Sequence, residues 1–219
     1  MQILHPERSI HIIVDVFRAF STACTVLSKK PKSYALTNHC TSITQRISVQ
    51  NNCILIGKPE KGSAINYHAP NSPNLVANLD LKEKHICHRT SAGAVGVMDA
   101  NPNNIVLCTS LNNLPATAKY VSQFKNHPVI IQPMGHEAST PSIEDNICAS
   151  LLRHMISGNH AMKKLPIDHI RASSGQYFFQ QNPEYPEEDF HTCLQIGTHP
   201  FAIKADIKEG YALLTEVNV

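Results

Sequence analysis

Between Ile10 and Ile156, short β-rich apolar runs alternate with helix-like segments, and no other feature of the chain constrains its fold as strongly. Strands are expected at Ile10–Val16, Ser33–Thr37, Cys53–Ile56, Lys84–His88, Ile105–Thr109 and Pro128–Gln132. Helices are expected from Ser21 or Thr22 through Lys29, over Thr41–Val49, and from the turn after Arg89 to Ala100. Two more are expected from Asn113 to Gln123 and from Ser142 to Ile156, the latter with Ile147, Leu151 and Met155 on one face. Alternation of this kind predicts an α/β fold, layered, with a largely parallel or mixed sheet flanked by helices. Beyond position 160 the pattern changes: Phe201–Ile207 and Tyr211–Val217 predict a C-terminal β-hairpin. Residues 1–219 carry no internal repeat and no low-complexity linker, so they read as one unit, with room for two lobes that the sequence does not separate.

Composition narrows the function classes. Charged residues make up only 16% of the chain, against about 25% in an ordinary soluble domain. The 42% hydrophobic content excludes a disordered chain. A formal net charge of +2 without a Lys/Arg stripe argues against a nucleic-acid partner. No apolar run approaches the roughly 18 to 20 residues of a membrane helix, so no membrane partner is expected. Seven Cys without CxxC spacing read as reduced, largely buried thiols, and the opening MQILHPERSIHIIVDV lacks the features of a signal peptide. The expectation is a cytoplasmic protein. Homo-oligomerisation is compatible with the sequence, which sets no oligomeric state.

In open α/β sheets, ligands bind beyond the carboxyl ends of the strands, and the polar residues of this chain gather there. Asp15 and Arg18 follow the first strand; Asp15 suits a Mg²⁺ ligand, a base or a turn acid, and Arg18 a phosphate fork or a surface ion pair. Ser21 offers a hydroxyl to an oxyanion or a helix cap. Arg89-Thr90-Ser91-Ala92-Gly93 places small residues where a helix begins, a pattern that lets backbone N–H groups meet an anion and that also occurs in ordinary turns. Glu144 and Asp145 open the Ser142 helix; Ser142-x-x-Asp145 also fits a capping box, and adjacent carboxylates also suit Mg²⁺. Lys58 and Glu60, with Asn71 and Ser72, come from the long polar stretch between Gly57 and Asn78.

Two further patterns need weighing. His39-Cys40-x5-Arg46 matches the signature of cysteine-dependent phosphatases, but the intervening Thr-Ser-Ile-Thr-Gln lacks the glycine that lets such a loop curl its amides inward. His85-x-Cys87-His88 suggests zinc, yet side chains alternate across a strand and the three would not converge.

The ordered set of these motifs resembles the ComB family of 2-phosphosulfolactate phosphatases. The resemblance runs through Asp15-Val16-Phe17-Arg18-Ala19-Phe20-Ser21-Thr22, Glu60-Lys61-Gly62, Asn71-Ser72-Pro73 and Arg89-Thr90-Ser91-Ala92-Gly93. It continues through Ser110-Leu111-Asn112-Asn113, Ile143-Glu144-Asp145 and Asp189-Phe190-x-x-Cys193. Pro70 stands where the family usually has a Gly before Asn-Ser-Pro, and Gly57-Lys58-Pro59 separates the glycine from Glu60. The resemblance implies a Mg²⁺-dependent phosphatase acting on a small phosphorylated acid, a step towards coenzyme M in organisms that make it. It implies Asp15, Arg18 and Glu60 as catalytic residues and Asp15, Glu144 and Asp145 as metal ligands. Ser21, Lys58, Asn71, Ser72, Arg89, Thr90, Ser91, Gly93 and Asn112 would bind substrate or phosphate. The alternatives are catalysis by Cys40 and a non-catalytic anion-binding module on the same fold. Eight scarce charges fall at these motifs, with Asp15, Glu60, Glu144 and Asp145 balancing Arg18, Lys58, Lys61 and Arg89. A bound Mg²⁺ would leave a surplus suited to a phosphate dianion.

Overall fold

The first strand, β1 (Ile10–Val14), is apolar at four of its five positions because both of its faces are covered. Ile13 points into one core, and Ile10, Ile12 and Val14 point into the other, as the period of two requires. Each such side chain stabilises the fold by roughly 1.5–3 kcal/mol when fully buried. The computed structural model describes residues 8–39, 52–59, 65–159 and 164–219.

After β1 the described chain runs α1 (Ala19–Ser28), β2 (Ser33–Thr37), β3 (Cys53–Gly57), α2 (Pro73–Ala77), β4 (His85–Arg89) and α3 (Ala92–Asp99). It continues with β5 (Ile105–Thr109), α4 (Leu114–Val121), β6 (Val129–Pro133), α5 (Ile143–Ile156), α6 (Ile167–Ala172) and α7 (Glu187–Cys193). β7 (Phe201–Lys208) and β8 (Tyr211–Asn218) close the chain as a hairpin. The helix expected over Thr41–Val49 lies outside the described residues.

The eight strands form one mixed sheet in the order β3-β4-β2-β8-β7-β5-β1-β6. Two parallel triads, β6-β1-β5 and β2-β4-β3, are joined by the antiparallel hairpin, which therefore lies mid-sheet and not at an edge. Followed ladder by ladder, the two triads run in opposite directions. Residues after β1 and β6 nevertheless line the same cavity as residues after β3 and β4.

One core holds Phe20, Leu36, Ile86, Val97 and Ile203, with α1 and α3 over that face. The other holds Leu114, Leu152, Ile170, Phe178 and Phe190, from the α4–α7 side. Close approach sets the position of α3: a Cβ at Gly96 would lie 2.4 Å from Met134 Sδ and 2.8 Å from Ile13 Cγ2. One turn earlier, a Cβ at Gly93 would lie 2.8 Å from Ala19 Cβ and 2.9 Å from Asp15 Oδ2. Two glycines three apart thus let the amino end of α3 rest against the end of β1.

Two local expectations change. Helix α1 starts at Ala19 with Arg18 in the cap position, and the Ser21 hydroxyl donates back to the Val16 carbonyl at 2.9 Å instead of capping. The polar stretch before Asn78 contains a short helix, α2, whose N-cap Ser72 accepts from the Leu75 amide at 3.2 Å, with Pro73 at its first position.

Candidate active site

A cavity of about 590 Å³ opens where the ends of β1, β3, β4 and β6 meet. Of the residues singled out in the sequence, Asp15, Arg18, Lys58, Asn71, Arg89, Thr90 and Ser91 line it. Asp15 is buried at its floor, with Oδ1 accepting from the Ala19 amide at 3.0 Å and the carboxylate also bonded to the Gly93 amide. Gly93 thus acts through its backbone on Asp15. Thr90, Ser91 and Ala92 bring the amino end of α3 to the wall, and Ser91, the cap residue, makes no side-chain bond within that helix. Helix polarity therefore favours an anion there. Arg89 donates to the Lys58 carbonyl, which ties the loops after β3 and β4.

Behind Asp15, the first turn of α5 supplies Glu144 and Asp145, both buried. Asp145 does not complete a capping box with Ser142. Its Oδ1 accepts from Val16 N at 2.7 Å and its Oδ2 from Gly135 N at 2.8 Å, which clamps the chain after β1 to the chain after β6. Glu144 accepts from the Ser174 hydroxyl. Three carboxylates therefore share a buried corner. Burial pushes Asp15 up to about 6; the Ala19 amide pulls it back and the Glu144 charge pushes it further. Asp145 is held well above the ordinary carboxylate range, first by burial and then by Asp15 and Glu144. The Tyr177 phenol on the cavity wall is raised to about 12, by burial and then by Glu144.

Other sequence-chosen residues are committed to backbone or lie elsewhere. Ser21 is fully buried in the first turn of α1. Ser72 caps α2 and donates to Asp189 Oδ1 at 2.9 Å. Asn112 donates to the Thr192 and Gln195 carbonyls at 2.8 and 2.9 Å. None of the three lines the cavity. Glu60, Lys61, Gly62, Cys40 and Arg46 lie outside the described residues. His85 bonds Ser33 and the buried His88 bonds Tyr34 at 2.6 Å, so these histidines serve the sheet.

A family model described as 2-phosphosulpholactate phosphatase matches residues 3–205. The chain belongs to the 2-phosphosulfolactate phosphatase family. A relative from Thermoplasma volcanium, named "Probable 2-phosphosulfolactate phosphatase", is 28% identical over 188 residues, covering 86% of this chain and 85% of its own length. Membership makes the chain a phosphoric monoester hydrolase, whose substrate is a small phosphorylated compound. Among the described residues, no helix is long and apolar enough to cross a membrane.

Several lining residues of this phosphatase were not singled out in the sequence: His136, Tyr177, Phe178, Asn182, Glu184 and Tyr185. His136 follows Gly135 at the end of β6, so the strand-end rule that selected Arg89 would have found it. The other five come from the segment before α7, outside any strand–helix unit, where no such rule reaches.

A divalent cation fits this donor set in one manner. Among the described residues, no three His, Cys, Asp or Glu side chains form a preassembled ligand cage. Mg²⁺ needs none, since it is commonly held by one or two carboxylates, with waters and substrate oxygens completing the shell. A corner with three buried carboxylates, two of them shifted upward, suits a cation of that kind.

Proposed function

We propose that this chain is a Mg²⁺-dependent phosphatase for the phosphate monoester of a small acidic hydroxy compound of the 2-phosphosulfolactate type. The products would be the hydroxy acid and phosphate, on the way to coenzyme M where that is made. One observation carries the reading. A buried carboxylate near pKa 6, Asp15, lies in a cavity that is also lined by Lys58, Arg89 and the amino end of a helix. Lys58 and Arg89 attract the substrate's anionic groups, and the α3 amino end receives phosphoryl oxygens. Without a cation Asp15 titrates near 6; a bound cation would keep it ionised, which suits it to accept a proton from water. Glu144 and Asp15 would hold the metal, with Asp145 fixing the loops around them. The metal, when bound, supplies positive charge to phosphoryl oxygens. Glu60 directly follows Pro59, which lines the cavity. The proposed setting is the cytoplasm: Cys24, Cys53, Cys108, Cys148 and Cys193 are free thiols, four of them buried.

The test is phosphate release from 2-phosphosulfolactate, and from phosphorylated hydroxy acids lacking the sulfonate, with Mg²⁺ and with EDTA. Turnover with Mg²⁺ that EDTA abolishes, and that Cys40→Ala retains, supports the reading. Metal-independent turnover lost in Cys40→Ala would transfer the chemistry to the cysteine. Binding without hydrolysis of any compound would make the chain an anion-binding module.

A further inference from the structure

Asp189 has no solvent exposure, sits in the first turn of α7, and does not line the cavity. Its Oδ2 accepts from Arg18 Nη1 at 2.7 Å. Its Oδ1 accepts from Ser72 Oγ at 2.9 Å and from Asn74 N and Nδ2, each at 3.0 Å. Four donors thus meet one carboxylate, three on Oδ1 and one on Oδ2. Arg18 does line the cavity, and its Nη1 also donates to the Glu184 carbonyl at 2.7 Å. Its guanidinium carbon lies 4.1 Å from the centre of the Tyr185 ring and 5.6 Å from that of Phe178. One guanidinium is therefore held by an ion pair to α7 and joined to the wall by a carbonyl and two aromatic rings.

We infer that Asp189 is a positioning residue of the phosphatase site: it orients Arg18, and through Arg18 it holds the Glu184–Tyr185 wall of the cavity in place. The inference rests on the phosphatase reading. The charge of Arg18 is matched by Asp189, so Arg18 contributes direction and shape to the cavity more than net charge. An arginine released from this carboxylate would retain its charge and lose the orientation that a planar, forked donor needs. Asparagine in place of Asp189 keeps one acceptor but turns an N–H towards groups that are themselves donors.

The experiment is a double-mutant cycle on the full chain, with KM and kcat for the phosphorylated acid in Mg²⁺. The Kd of inorganic phosphate, measured by calorimetry, reads the same site without turnover. Asp189→Asn is expected to raise KM and the phosphate Kd about tenfold, with a smaller effect on kcat. Arg18→Lys is expected to do the same, and the double variant to be no worse than Arg18→Lys alone, because both changes break one interaction. Thr192→Val is the structural control. It removes the two bonds between Thr192 Oγ1 and the Asn74 amide, 2.9 and 3.3 Å, that also tie α7 to α2, and it alters neither Arg18 nor the groups that bond Asp189. It should lower the melting temperature without moving KM or Kd. Additive losses in the double variant, or a KM change in Thr192→Val equal to that in Asp189→Asn, would overturn the inference. Should Asp189→Asn not fold, Arg18→Lys against Thr192→Val still decides: equal KM values for the two overturn it. A wild-type chain that neither turns over substrate nor binds phosphate overturns the phosphatase reading, and this inference with it.

Discussion

Two buried charged clusters border the same cavity, and they are built on opposite principles. In one, Arg18 meets Asp189, and each oxygen of the carboxylate has a donor. In the other, Asp15, Glu144 and Asp145 crowd together with backbone amides and one hydroxyl as their bonded donors. The first is a matched pair, whose disruption would leave a charge buried without a partner. The second is a like-charge cluster, in which burial and the neighbouring carboxylates raise Asp15 and Asp145 towards protonation. Geometry around a site can be secured by a matched pair. A site that must accept a cation or a proton needs the opposite, and the cavity has one of each.

The largest effect expected from this contrast is on Asp15. Asp15→Asn should lower phosphate release by about three orders of magnitude, the scale of losing a positioned acid–base group. It should leave the fold intact and change the unfolding free energy at pH 7.5 little, since removing one of three crowded charges offsets the N–H that asparagine turns towards the Ala19 or Gly93 amide. Kinetics and urea unfolding on one preparation check both. A variant that loses stability along with activity would mean that Asp15 belongs to the structural class.

Next in size is a pH effect on the metal-free chain. Asp15 titrates near 6 when folded and near 3.8 when unfolded. Between those values the folded chain binds more protons than the unfolded one. Stability must therefore fall as pH rises from about 4 to about 6 and stay reduced above, by ~3 kcal/mol from Asp15 alone. Asp145 is shifted in the same direction and adds to the fall. Urea unfolding in EDTA at pH 4.5 and 7.5 should show the loss, Asp15→Asn should flatten it, and Mg²⁺ should stabilise the chain more at pH 7.5. A flat profile in the wild type would remove the electrostatic strain from which the cation site is argued.

What could be foreseen of this arrangement follows from how local each signal is. Strand–helix alternation is a local pattern, so β1 to β6 and the closing hairpin were legible as elements. Their order in the sheet depends on pairings between distant segments, and nothing in Phe201–Lys208 states that it will pair with β5 in mid-sheet. Asp15, Arg89 and Ser91 were legible as cavity residues because strand ends in α/β sheets face ligands. Ser21, Ser72 and Asn112 satisfied the same rule by position, but their side chains are spent on nearby backbone or on Asp189, which sequence spacing does not show. The pairing of Arg18 with Asp189 joins residues 171 positions apart. Without that partner in view, Arg18 read as a phosphate fork or a surface ion pair, where the structure gives a buried one.

The smallest expected effect separates the two kinds of support that Arg18 receives. Tyr185 lies beneath its guanidinium at 4.1 Å, close enough for the ring's negative face to attract the cation. Phenylalanine at this position keeps the ring and removes only the hydroxyl, whereas leucine keeps apolar bulk and removes the π face. Tyr185→Phe should therefore be near wild type in unfolding free energy, and Tyr185→Leu should lose about 1 kcal/mol. The loss should shrink in an Arg18→Lys background, because the ammonium lacks the flat guanidinium that stacks on a ring. Equal losses for Phe and Leu would instead assign the contribution to the Tyr185 hydroxyl. The matched cluster would then rest on the ion pair and the Glu184 carbonyl alone.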